Sequence, residues 1–103
     1  MSKGICNLNK SIGEIIQHVC NRYGLEIGDI KSKCREEYLI WPRHIAMYLC
    51  FQAGHGTKHI GQAFNRSRSM SSHAIKSVHN LSSVYPKLNK ERVNLARELD
   101  IIE

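Results

Sequence analysis

From Tyr38 through Lys90 the sequence contains no aspartate or glutamate. Its nine acids lie outside that stretch: Glu14, Glu26, Asp29, Glu36 and Glu37 before it, Glu91, Glu98, Asp100 and Glu103 after it. A carboxylate cluster for a catalytic divalent cation therefore cannot form within the central half of the chain, which argues against a metal-dependent nuclease. No apolar run approaches the ~18–20 residues a membrane-spanning helix requires. The N-terminal MSKGICNLNK has no apolar signal region, so secretion is not indicated. Cys6, Cys20, Cys34 and Cys50 are too far apart for a Cys-x-x-Cys zinc or redox motif. Cys20 and Cys50 fall on apolar helix faces and are expected to behave as small buried hydrophobes. No phosphate-cradling Gly-x-x-x-x-Gly-Lys-Ser/Thr loop is present, since Gly54 and Gly56 before Thr57-Lys58 have the wrong spacing and order. Neither a nucleotide cofactor nor a catalytic residue is expected.

The acid-free stretch is rich in positive charge. It carries seven cations, Arg43, Lys58, Arg66, Arg68, Lys76, Lys87 and Lys90, and five histidines, His44, His55, His59, His73 and His79. The whole chain of 103 residues has a net charge of +6 and fits one small domain. Many small basic proteins are simply soluble and basic, but segregation of the acids to the two ends points to a polyanionic partner. His55 and His59 are expected to face solvent or that partner rather than a metal ion.

The hydrophobic pattern is helical almost throughout, with no strand alternation, and predicts a compact all-α bundle of about six helices in a single domain over 1–103. Ser11 and Glu14 form a capping box ahead of Ile12, Ile15, Ile16 and Val19, and Gly24 is suited to end that helix. A short turn of helix is expected near Gly28–Lys31. The stretch from Lys31 to Glu37 reads equally as loop or helix extension. Pro42 is placed in the first turn of a helix whose buried stripe is Ile45, Ala46, Leu49, Cys50 and Ala53. Thr57 is expected to cap the next helix, Asn65 to take positive φ in a turn, and Ser67 or Ser69 to cap the helix after it. The C-terminal helix is predicted over about 89–101 with Asn89 as its cap. The helix, turn and helix at about 57–81 have helix-turn-helix spacing. A pair buried in a bundle, with a solvated basic turn, would have the same spacing.

The residues themselves carry a resemblance. WPRHIAMYL at Trp41–Leu49, followed by IGQAFNRSRSMSSHAIKSV at Ile60–Val78, resembles the C-terminal DNA-binding domain of the bacterial replication initiator DnaA. That family shows Pro-Arg-x-x-Ala-Met-x-Leu, then Ile-Gly-x-x-Phe, a short Gly/Arg turn, Asp-His-Ser/Thr-Thr-Val and a His-Ala pair. The resemblance extends from about Ile12 to Leu81 and implies sequence-specific binding of double-stranded DNA, in the cytoplasm at the nucleoid. By position it implies Arg43 in the minor groove and phosphate contacts from Lys33, Arg35, Lys58 and Arg66. Ser67, Arg68 and Ser69 match the trio that reads bases, His73 and Ala74 the His-Ala pair, and Lys76 a frequently basic position. Arg43 could otherwise be a surface cation near a helix start, and His73 is balanced between packing and facing DNA. Lys33 and Arg35 could merely offset Glu36 and Glu37.

The departures bear on the cognate site. The family's Asp-His is Ser67-Arg68 here, and its Thr-Val is Met70-Ser71. Asp can only accept from a cytosine amino group, whereas Ser can donate or accept and Arg68 can pair with guanine or a phosphate. The motor domain of full-length members has no counterpart here, so the expectation is either an excised domain or a stand-alone copy, the second favoured, acting at replication origins or on transcription. A protein partner in the replication machinery belongs to the same expectation. The alternative is an interaction module that retains the fold without binding DNA.

Overall fold

The computed structural model describes residues 11–31 and 37–99, so Cys6, Lys33, Cys34 and Arg35 lie outside the described residues. Six helices occur among the described residues: α1 Ile12–Tyr23, α2 Ile27–Lys31, α3 Glu37–Gln52, α4 Thr57–Ala63, α5 Arg68–Val84 and α6 Pro86–Glu98. No strand occurs among them, as the periodicity predicts.

Local chemistry fixes several boundaries where the sequence places them. Ser11 Oγ accepts from the Glu14 amide at 3.1 Å, and the Ser11 amide donates to Glu14 Oε1 at 3.3 Å, completing the capping box of α1. Gly24 ends α1 with φ 68°, a conformation that a residue with a Cβ adopts only at a cost. Three other expectations are corrected. Pro42 lies inside α3, where it leaves the Tyr38 carbonyl without its i+4 amide donor. Gly56, not Thr57, is the N-cap of α4, and no side chain bonds there. The last helix begins at Pro86, whose missing amide costs nothing in a first turn, and Tyr85 is its N-cap. Asn89 sits one turn inside, its Oδ1 accepting from Arg92 Nη2 at 2.7 Å. Asp100 and Ile101 lie outside the described residues.

Helix α3 is the axis of the bundle. Ile45, Ala46, Met47, Leu49 and Cys50 are all buried, so the helix is apolar around most of its circumference. Such a helix is stable only when surrounded. It packs against α1, α2, α4 and α5. Phe64, Ile60, Ile15, Ile16, Val19, Leu95 and Leu99 complete one continuous core. Cys20 and Cys50 are buried, and burial pushes both thiols up.

Polar bonds fasten α6 across the core to α1 and α3. Tyr23 Oη donates to Glu91 Oε1 at 2.7 Å and accepts from Trp41 Nε1–H at 2.9 Å. Trp41 is half-buried and hydrogen-bonded. Burial, then the bond to Glu91, pushes the Tyr23 phenol well up. Glu98 accepts from His18 Nε2 and Arg22 Nη1, both at 2.7 Å.

The His18 bond, followed by that from Arg22, holds the Glu98 carboxyl below the usual carboxylate range. A depressed carboxylate stabilises the fold above its unfolded pKa, and that contribution disappears as pH falls through the lowered folded value. Because the pair is exposed, Glu98→Gln should cost about 0–1 kcal/mol near neutrality. Melting temperatures of the variant and parent should differ by a few degrees at about pH 7. They should converge as the pH is lowered below the carboxylate range.

Candidate nucleic-acid interface

The turn between α4 and α5 is set by backbone geometry. Phe64 is buried and anchors the end of α4 in the core. Asn65 follows with φ 59°, as expected of a residue that tolerates the left-handed region. The Arg66 amide then donates back to the Gly61 carbonyl at 2.7 Å. Gly61 is buried, and a Cβ there would lie 2.7 Å from the Arg66 carbonyl oxygen. Only glycine allows α4 and the turn to approach this closely.

Ser67 is the N-cap of α5, its Oγ accepting from the Met70 amide at 3.1 Å. This resolves the choice between Ser67 and Ser69. Ser71, the hydroxyl in the family's apolar position, is fully buried and donates to the Ser67 carbonyl at 3.2 Å. That bond satisfies it, so the core accepts the exchange. Arg68, Ser69 and Met70 are exposed on the first turn of α5, which carries no acid. Cations at a helix N-terminus oppose the macrodipole, an arrangement that an anion in front of the helix relieves.

The predicted residues fall into three groups. Ser67, Arg68, Ser69 and the half-buried Arg66 are brought together at the turn. His73 and Lys76 are exposed farther along α5, and Lys58 is exposed on the first turn of α4. Arg43 stands apart. It is 6% exposed and lies inside α3, not at a helix start. Its Nε–H donates to the Ile30 carbonyl at 2.9 Å and its Nη2 to the Asp29 carbonyl at 3.2 Å, fastening the end of α2 to α3.

A cleft of about 510 Å3 opens between α3 and the turn. Ile40, Met47, Met70 and Ala74 supply its apolar surface, and Arg43 and Arg66 its cationic one, with His44 and His73 beside them. Among the described residues no carboxylate lines it. Burial, followed by the neighbouring His73, Arg43 and Arg66, pushes the His44 imidazole below its ordinary pKa. Sequence reasoning assigned His44 nothing. Its signal was present in the spacing of Ile40, His44 and Met47, which share one face of α3. Among the described residues no group of three or more His, Cys, Asp or Glu is placed to hold a metal ion, and no helix is long and apolar enough to cross a membrane.

The close contact at Gly61 generates a prediction. Gly61→Ala must displace the turn backbone, a form of overpacking that costs about 1–3 kcal/mol. Denaturant titration should show that loss, and the amide resonances of Arg66 and Ser67 should shift more than those of α1.

The comparisons with known proteins agree with this geometry. Residues 12–78 match the family described as bacterial dnaA protein helix-turn-helix, which spans α1 through most of α5 and leaves α6 beyond it. The chain is 34% identical over 73 residues to the chromosomal replication initiator protein DnaA of Zymomonas mobilis subsp. mobilis. That alignment takes in 69% of this chain and 15% of the relative's length. With the Pro-Arg helix, the glycine-dependent turn and the capped second helix all in place, the chain belongs to the bacterial DnaA helix-turn-helix family.

Proposed function

We propose that this protein binds double-stranded DNA sequence-specifically through α4, the turn and α5, without catalysis. The observation that carries this reading is the cationic, acid-free start of α5 on a helix-turn-helix frame. Arg68 and Ser69 enter the major groove, Arg68 having the donors to pair with both acceptors of a guanine. The Ser67 hydroxyl is engaged in capping through one of its lone pairs, so its part in base reading is secondary to Arg68. Arg66, Lys58, His73 and Lys76 hold phosphates, and Lys33 and Arg35, which lie outside the described residues, add phosphate contacts in the same reading. Arg43 reaches the minor groove by exchanging the Asp29 and Ile30 carbonyls for base edges, which couples its engagement to release of the α2 end. Biologically, the protein acts in the cytoplasm at the nucleoid, on replication initiation or transcription, alongside a protein partner of the replication machinery.

The observation favouring a pure interaction module is that same engagement of Arg43 within the fold, together with loss of the Asp-His pair. That reading predicts negligible duplex binding and a salt-insensitive protein complex.

Selection from a random duplex pool tests the proposal directly. A single enriched site is the expected result, and recovery of no common sequence would contradict specific recognition. Against the selected duplex, Arg68→Ala should lose about 1–3 kcal/mol of discrimination between the preferred and mismatched base. Lys58→Ala should instead weaken all duplexes about equally and lower the slope of log affinity against log salt by about 1.

A further inference from the structure

We propose that the cleft between α3 and the turn seats a backbone phosphate of the bound duplex, and that His44 is one of the groups contacting it. The proposal rests on the DNA-binding reading and adds a residue outside the helix-turn-helix itself. His44 lies on α3, ten residues before Gly54, yet it lines the same cleft as Arg66 of the turn and His73 of α5. Three elements therefore converge cationic or protonatable side chains on one opening.

The charges facing His44 are of one sign. Arg43 comes from its own helix and Arg66 from the turn, with His73 from α5 beside them, and no carboxylate lines the cleft among the described residues. The apolar surface of Ile40, Met47, Met70 and Ala74 keeps the local dielectric low, which strengthens any charge interaction made there. In the free protein this environment disfavours a charged imidazole. A phosphate reverses the balance: it is attracted by Arg66 and favours protonation of His44. The His44 imidazole then becomes a donor on both ring nitrogens, suited to phosphate oxygens. Arg66 donates to the Asn65 carbonyl at 3.1 Å through Nη1, and it lines the same cleft.

The sign of the linkage follows. If the pKa of His44 is higher in the complex than in the free protein, binding takes up a proton. Affinity then rises as pH falls through the interval between the bound and free values, by at most about tenfold per pH unit for one proton. The contribution of His44 is isolated by substitution. His44→Gln keeps a side-chain donor and does not titrate.

The experiment is fluorescence anisotropy of the full chain with a selected duplex between about pH 8 and pH 5.5, for the parent and His44→Gln. It is accompanied by an NMR titration of the imidazole carbons of the parent protein with and without that duplex. The expected results are a several-fold smaller gain in affinity on acidification for His44→Gln, and a His44 midpoint that rises when duplex is bound. An unchanged or lowered midpoint on a duplex that binds would overturn the phosphate seat while leaving DNA binding intact, and so would equal pH dependence of the two proteins. Absence of duplex binding at every pH would overturn the DNA-binding reading, and the phosphate seat with it. The imidazole titration needs no variant, so it decides the question even if His44→Gln folds poorly.

Discussion

The backbone contact between Gly61 and the turn is the constraint on which the functional face depends. The Arg66 carbonyl oxygen lies 2.7 Å from where a Cβ at residue 61 would be, so the turn packs against α4 with no room for a side chain there. Asn65 accepts the positive φ of the turn, and the Arg66 amide closes it onto the Gly61 carbonyl. Ser67 then starts α5 within one residue of the turn. The exposed residues Arg68, Ser69 and Met70 owe their common direction to this geometry. Buried Phe64 ties the turn to the core, and α3 supplies the wall against which both helices pack.

Charge is distributed in keeping with that face. Glu91 and Glu98 are engaged at the junction of α6 with α1, where they accept from Tyr23, His18 and Arg22. Among the described residues, the titratable groups lining the cleft beside the turn are arginines and histidines. Helix α6 thus does two things: it covers the core with Leu95, Ala96 and Leu99, and it supplies the carboxylates that α1 requires. It lies beyond the residues that match the family model.

Features governed by neighbouring residues were legible in the sequence. The Ser11–Glu14 capping box, the left-handed Gly24 and Asn65, and the helix pair itself all depend on contacts within four residues. Thr57 and Asn89 were misplaced as caps because a nearby backbone position, Gly56 or Tyr85, already has the extended conformation a cap needs. Pro42 read as a helix start because its first-turn preference is strong, yet the burial of α3 on several sides sustains the helix through it. The rest required tertiary knowledge. Arg43 meets carbonyls of α2, and Tyr23 bridges Trp41 and Glu91, a residue 68 positions away. No local pattern encodes such partners. His44 escaped notice because its significance comes from Arg66 and His73, both distant in sequence and close in the fold.

The most direct test of the central claim, that the face built on the Gly61 contact is the DNA-binding face, is amide chemical-shift mapping of the full chain titrated with duplex DNA. The account predicts that the largest perturbations fall on Arg66 through Met70, extend to His73 and Lys76, and include Lys58 and His44. Perturbations concentrated on α6 or on the exposed side of α1, with the turn unchanged, would contradict it.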